Sequence, residues 1–190
     1  MAGRCRQLGL SPVFLTDHDT LAGIARLQTP GIERVVAGEE VMTAEGELIG
    51  LFLEHPVARG LTPRKTALEI KGQGGLVYLE HPYDPFRRHL SEAAIEDIAD
   101  LIDIVEVFNG RSEEQANRQA QDLCGILGAA AGAGSDAHTL REIGSAYVEL
   151  EDFDGAEDFL AKLRGGKIVK RRPRLLLLAE AKLGHKMRRQ

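Results

Sequence analysis

The sequence predicts an α/β fold, and two observations lead to that prediction. Short apolar segments typical of strands alternate with segments typical of helices from the start of the chain to its end. Clusters of histidine and carboxylate side chains directly follow several of these predicted strands. Because strands joined by helical crossovers run parallel, their carboxyl ends share one edge, where α/β barrels carry their active sites. We therefore expect an α/β domain with a site at that edge.

The predicted strands are short and are bounded by turn residues. The segment Ala44-Glu45-Gly46 separates two of them and predicts a hairpin. The strands are expected at residues 13–15, 33–42, 47–54, 76–79, 102–108, 128–133, 146–150 and 167–170.

Two of the predicted helices have clear start signals. Thr62 is a suitable cap with Pro63 in the first turn, and Ser91 is a suitable cap for the next helix. The helices are expected at residues 20–28, 62–72, 91–100, 112–127, 154–163 and 175–189, with a helical turn at residues 139–143.

The composition is that of an ordinary globular chain. Its 190 residues suit one domain, with 43% hydrophobic and 28% charged residues. No apolar run approaches the roughly 20 residues that a membrane span needs, and residues 1–6 do not resemble a signal peptide. Cys5 and Cys124 are too few for a disulfide framework. We expect a cytoplasmic protein with two structural thiols and no membrane contact.

The net charge of −5 conceals an asymmetry along the chain. Residues 162–190 contain 11 basic residues and one acidic residue, a balance of +10, so the remainder carries −15. Such a segment suits either contact with an anionic partner or a solvated helix face. The lack of interleaved aromatic residues favours the solvated face. We expect one domain at residues 1–172 and a basic C-terminal helix at residues 173–190.

Two Asp- and His-containing segments suggest metal binding. His18 lies between Asp17 and Asp19, and His138 follows Asp136 by two residues. In extended chain, residues two apart share a face, and imidazole with carboxylate ligands suits zinc, manganese or iron. The first segment also fits a simple helix cap, and each segment alone is weak evidence. Their recurrence after successive strands favours the metal hypothesis.

Four motifs occur in the order in which the PHP family, named for polymerase and histidinol phosphatase domains, carries them. They are Thr16-Asp17-His18, Gly38-Glu39-Glu40, His81-Pro82 and Gly134-Ser135-Asp136-Ala137-His138. Over residues 4–170 the chain resembles the stand-alone metal-dependent phosphoesterases of that family. The resemblance implies a distorted TIM-like (β/α)7 barrel that binds up to three divalent metals and hydrolyses phosphate esters.

The resemblance also implies metal-binding roles by position. His18 and His138 would bind one metal and Asp136 another. Glu40 would be the bridging carboxylate, and His81 would bind the middle metal.

Other positions are less clearly matched. Glu47 stands where many members have a histidine, and its carboxylate is still able to bind metal. Asp17 and Asp19 are expected to orient His18 rather than to bind metal. Arg111 and Asn109 are candidates for holding a phosphate, although Asn109-Gly110 also fits an ordinary turn. The histidines that match no motif are expected to be surface or packing residues, namely His55, His89 and His185.

The sequence departs from the family at its start. Family members begin with a strand carrying His-x-His, whereas residues 1–10 contain no histidine and no carboxylate and resemble part of the first barrel helix. We therefore expect the first strand to be missing, the edge at residues 13–15 to be exposed, and fewer than three metals (manganese, zinc or iron) to bind.

The predicted function is hydrolysis of a phosphate ester by a metal-activated water. The expected partner is a nucleotide, a short oligonucleotide or a small phosphorylated metabolite. A non-catalytic truncated remnant or partner-binding module is the alternative that the missing strand favours. A barrel amidohydrolase shares the metal chemistry but would also need the absent His-x-His.

Overall fold

The computed structural model describes residues 1–30, 32 and 34–171. The helices are α1 (Ala2–Leu8), α2 (Ile24–Leu27), α3 (Pro63–Gly72), α4 (Glu92–Asp97), α5 (Glu114–Leu127) and α6 (Gly155–Leu163). The strands are β1 (Val13–His18), β2 (Val35–Met42), β3 (Glu47–Leu51), β4 (Leu76–Leu79), β5 (Ile104–Asn109), β6 (Ala130–Gly134), β7 (Ala146–Glu149) and β8 (Lys167–Lys170). The predicted closing helix at residues 175–189, and with it the basic segment 173–190, lies outside the described residues.

The main sheet has six strands in chain order, from β1 to β6. β1 pairs parallel with β2, and β4, β5 and β6 pair parallel with one another. β3 is antiparallel to both of its neighbours, as the predicted hairpin requires. Five strands therefore end at one edge of the sheet, and β3 begins there.

The last two strands differ from the prediction. β7 and β8 were expected to continue the parallel arrangement, but they form a separate antiparallel pair in which Glu149 lies opposite Lys167. The connection between them, which contains α6, therefore leaves and returns at the same end of the pair. Within the described part of the chain the six-stranded sheet stays open, and a complete barrel is not formed.

Both faces of the sheet bury apolar side chains. On one face, a cluster that includes Ile70, Leu79 and Ile95 packs α3 and α4 against the strands. On the other, the rings of four phenylalanines lie 4.8 to 6.1 Å apart, at Phe14, Phe52, Phe153 and Phe159. The curled sheet, β7 and this aromatic cluster surround a cavity of about 1130 Å³.

Two simpler expectations can be compared directly with the structure. Cys5 and Cys124 are both buried as free thiols, as predicted. None of the helices described here is long and apolar enough to cross a membrane.

Candidate metal centre

Carboxylate and histidine side chains meet at the edge where the parallel strands end. His18 is the last residue of β1 and lies opposite Glu40 of β2. Glu47 opens β3, and Glu80 and His81 directly follow β4. Since these strands are consecutive in the sheet, the five side chains lie side by side, and all but Glu47 border the cavity.

The five side chains form two overlapping groups of three. His18, Glu40 and Glu47 make up the first group, and Glu40, Glu80 and His81 make up the second. Within each group the nearest ligand atoms lie within 4.8 Å of one another. Glu40 Oε1 is 3.6 Å from His18 Nδ1 and 3.8 Å from His81 Nε2, so this carboxylate is shared. His18 Nδ1 is also 3.9 Å from Glu47 Oε1.

Two buried polar atoms in this centre lack hydrogen-bond partners, which tests whether the residues fit a metal. Glu80 is 2% exposed, and its Oε2 accepts a hydrogen bond from the Ile49 N–H at 3.0 Å, but its Oε1 is unpaired. The buried His81 Nδ1 is also unpaired. An unsatisfied buried polar group costs roughly 1–3 kcal/mol. A divalent cation would be a natural partner for the unpaired carboxylate oxygen of Glu80 beside the His81 imidazole, so the residues fit a metal.

The charges of this centre perturb one another. Burial opposes the ionisation of Glu40, but the neighbouring His81 imidazole and the charges of His18 and Arg87 outweigh burial and lower the pKa of Glu40. Burial and then the neighbouring Glu40 raise the pKa of Glu47. The pKa values of the two carboxylates are therefore shifted in opposite directions.

The second group is more deeply buried. Burial raises the pKa of Glu80 well above its ordinary value. Burial alone would lower the pKa of His81, but Glu40, Glu80 and Glu106 together raise it to about 9. Without a metal, His81 is therefore a protonated imidazole among carboxylates at neutral pH.

Glu106 of β5 supports the second group from behind. Its Oε2 accepts hydrogen bonds from the His81 N–H at 3.0 Å and from Asn109 Nδ2 at 2.9 Å, and its Oε1 accepts one from the Tyr78 hydroxyl at 3.2 Å. A Cβ at Gly134 would lie 2.5 Å from Glu106 Oε1, so the small residues of β6 make room for this carboxylate.

The Asp136 and His138 segment borders the same cavity but belongs to neither group. Asp136 Oδ2 accepts a hydrogen bond from the Arg87 guanidinium, and its Oδ1 is 3.3 Å from His138 Nδ1. Buried Glu142 fixes the loop by accepting a hydrogen bond from the His138 N–H at 2.9 Å. The metal expected between His18 and His138 stays a prediction, because the structure groups His18 with Glu40 and Glu47.

Strained backbone occurs next to these segments. Asp19, His81 and Asp136 have φ angles of 50°, 31° and 45°, in a region that residues other than glycine rarely adopt. Such outliers cluster at functional sites, where neighbouring contacts hold them in place.

The two residues predicted to contact phosphate, Arg111 and Asn109, each interact with a carboxylate of the protein. Arg111 Nη1 lies 3.3 Å from Glu142 Oε1, and buried Asn109 donates to Glu106. Their role in phosphate binding stays a prediction: Asn109 borders the cavity with its amide bound to Glu106, whereas Arg111 is not among the residues that line the cavity.

The two aspartates beside His18 have different surroundings. Asp19 Oδ1 accepts a hydrogen bond from the Met42 N–H at 2.9 Å and thus joins the end of β1 to β2. Asp17 lies opposite Glu39 in the strand register and borders the cavity. Of the remaining histidines, His55 is exposed and His89 contacts the Asp84 carbonyl at 2.9 Å, while His185 lies outside the described residues.

Sequence reasoning missed four polar residues of this region, namely Glu80, Glu106, Arg87 and Glu142. One signal was available for Glu106, which stands between Val105 and Val107 in an apolar strand. A carboxylate at such a position usually has a specific partner, because burying a charge without one is costly. Nothing comparable distinguishes Arg87 from the other arginines of the chain.

These features define an α/β protein with a candidate metal centre built from carboxylates and histidines. Residues 114–168 match the family described as PHP-associated. Three solved structures share the fold. PsfC from Pseudomonas syringae has a TM-score of 0.71 and 15% identity, and the match covers 95% of this chain and 86% of that one.

The other two structures are described as phosphoesterases. A proposed metal-dependent phosphoesterase from Bifidobacterium adolescentis has a TM-score of 0.60 and 17% identity, covering 73% of this chain and 81% of that one. A two-domain protein from Bacteroides vulgatus, containing a predicted PHP-like metal-dependent phosphoesterase, has a TM-score of 0.58 and 15% identity, covering 83% of this chain and 55% of that one. The family match over residues 114–168 and the shared fold support the resemblance to the PHP family that the motifs predicted.

Two curated relatives come from Methanocaldococcus jannaschii, and both are uncharacterized. MJ1587 is 43% identical over 110 residues, which cover 55% of this chain and 61% of that protein. MJ0417 is 33% identical over 124 residues, which cover 63% of this chain and 52% of that protein. The matched part of this chain thus spans between half and two thirds of each relative.

Proposed function

We propose that this chain binds divalent metals around Glu40 and serves in the hydrolysis of a phosphate ester. The observation that carries the proposal is the pair of ligand groups sharing Glu40 at the strand ends, inside a cavity large enough for a small substrate. The description of two fold relatives as metal-dependent phosphoesterases supports it. Substrates of the expected class are nucleotides, short oligonucleotides or small phosphorylated metabolites. The curled sheet suits part of a distorted barrel.

The metal would be held by His18, Glu40, Glu47 and His81. When bound, manganese, zinc or iron supplies Lewis acidity and a water nucleophile that is deprotonated near neutral pH. Glu106 keeps His81 in place through its backbone N–H.

Arg87 is better placed than Arg111 to hold the substrate phosphate. Its guanidinium contacts Asp136 at the cavity, and its charge acts on Glu40. Arginine binds phosphate through a bidentate fork. At the opposite side of the cavity, Phe14 and Phe159 offer rings against which an apolar leaving group would pack.

The function is tested with bis(4-nitrophenyl) phosphate and 4-nitrophenyl phosphate in the presence of manganese, zinc or iron. We expect release of 4-nitrophenolate that depends on the metal and stops when a chelator is added. Release of 4-nitroaniline from an amide substrate instead would indicate an amidohydrolase. If neither ester is hydrolysed with any of the three metals, the catalytic proposal fails.

The alternative is a non-catalytic, partner-binding role, and the open edge of β1 favours it. Within the described residues β1 pairs with β2 alone, and an unpaired edge is a template for another strand. If neither ester is hydrolysed in the experiment above, partner binding becomes the better supported of the two functions.

The role of Arg87 gives a separate prediction. Arg87→Gln should raise KM for the ester by about tenfold, because one charge-assisted contact to phosphate is worth roughly 1.5–3 kcal/mol. Arg111→Gln is the matched control and should change KM little. Steady-state kinetics of the two variants measure this difference. Equal effects on KM would contradict the assignment of Arg87 as the phosphate contact.

A further inference from the structure

We propose that Glu80 is a metal ligand, and that Glu40, Glu80 and His81 form a divalent-metal site beside the site of His18, Glu40 and Glu47. The proposal rests on the proposed function for the kind of ligand, a divalent transition metal. It deepens that function by assigning a residue that no motif indicated. Metal binding and ester hydrolysis are measured separately, so the two proposals fail separately.

Glu80 is held with one oxygen engaged and the other available. It directly follows β4, its side chain is 2% exposed, and it borders the cavity. Oε2 accepts the Ile49 N–H of β3 at 3.0 Å, which fixes the carboxylate, while Oε1 is buried without a partner. A carboxylate ligand to a metal needs this combination of an orienting hydrogen bond and one vacant oxygen.

The backbone at His81 explains how two adjacent residues reach one metal. In an extended strand, successive side chains point to opposite faces of the sheet. His81 instead has a φ of 31°, and its N–H is fixed by Glu106 Oε2 at 3.0 Å. This turn allows the ligand atoms of Glu80 and His81 to lie within 4.8 Å of each other and of Glu40.

Burial and an unpaired oxygen do not by themselves identify a metal ligand, as Glu39 shows. Glu39 is fully buried, its Oε2 accepts the Val57 N–H at 2.8 Å, and its Oε1 is also unpaired. Yet among the residues that the structure describes, Glu39 belongs to no group of three metal-ligating side chains. What distinguishes Glu80 is that one of its carboxylate oxygens lies within 4.8 Å of ligand atoms of both Glu40 and His81.

The test compares Glu80→Gln with Glu39→Gln by titrating the chelator-treated protein with Mn²⁺ alone in a calorimeter. Both amides keep the oxygen that accepts the backbone N–H, so the two variants are closely matched. Glu80→Gln should weaken one of two binding events by at least about tenfold, the lower range for loss of a supporting group at a metal site. Glu39→Gln should leave both events unchanged. Unchanged binding in Glu80→Gln would overturn the proposal.

A second measurement on the unaltered protein covers the case in which Glu80→Gln fails to fold. Two Mn²⁺ ions that share Glu40 should be magnetically coupled, and electron paramagnetic resonance at two equivalents should show the coupled spectrum. Binding of a single, uncoupled Mn²⁺ would overturn the proposal whatever the variant does.

Discussion

Glu39 and Glu40 are neighbours on β2, yet they have opposite surroundings. Because side chains alternate along a strand, one carboxylate lies on each face of the sheet. Glu39 is fully buried beside Val57, and burial raises its pKa. Glu40 faces the cavity between His18 and His81, and there the positive charges outweigh burial and lower its pKa. The same residue type is thus structural on one face and poised to bind a cation on the other.

The largest effect is expected for Glu40→Gln. This change removes the carboxylate shared by both ligand groups, so both should lose affinity for metal. The loss should exceed the roughly 10- to 100-fold that removal of an outer partner costs. Elemental analysis after dialysis against Mn²⁺ measures it, and far-UV circular dichroism checks the fold.

Glu39→Gln is the matched control for that experiment. It should retain as much metal as the unaltered chain. If both variants lost equal amounts of metal, the position of Glu39 and Glu40 on different faces of β2 would not explain which of them binds metal.

The second largest effect is expected for the dependence of metal affinity on pH, which involves only the face of β2 that carries Glu40. The carboxylates around His81 raise its pKa to about 9 in the metal-free protein. A metal must displace that proton, together with any proton on Glu80, whose pKa burial also raises, so the apparent affinity should rise by at least about tenfold per pH unit below pH 9. Calorimetry in buffers of different ionisation enthalpy should show proton release on binding at pH 7.

Glu39→Ala should act on stability instead of metal binding. The change leaves the Val57 N–H without its acceptor, which should lower the free energy of unfolding by roughly 1–3 kcal/mol. Glu39→Gln keeps an acceptor and should recover much of that loss. Urea unfolding of the three proteins measures the difference, and a metal defect in Glu39→Ala without loss of stability would contradict the assignment.

The parts of the fold that follow from local pattern could be predicted from the sequence. Turn residues and alternation located the β2–β3 hairpin, polar residues after apolar runs located His18 and His81, and the family resemblance located Glu40. The pairing of β7 with β8 could not be predicted, because it depends on where the connection through α6 packs.

The site was harder to predict where the backbone conformation determines which side chains come together. A strand pattern places Glu80 and His81 on opposite faces, and the φ of 31° that brings them together has no signature in the sequence. Likewise, Arg111 was named as a phosphate contact from the sequence, but its pairing with Glu142 depends on how two distant loops meet.

The smallest effect is expected for His138→Ala. This variant tests whether the metal sites around Glu40 extend to His138. His138 is 48% exposed at its side chain and contacts Asp136, so its loss should change the free energy of unfolding by no more than about 0.5 kcal/mol. Because it belongs to neither Glu40 group, the two tight binding events should keep their affinities within about twofold, as expected for separate sites. A weaker third equivalent, if Asp136 and His138 form one, should disappear. Mn²⁺ calorimetry distinguishes these events. Loss of a tight equivalent would show that His138 joins His18 on one metal, as the family resemblance implies, and that the grouping of His18 with Glu40 and Glu47 rearranges when metal binds.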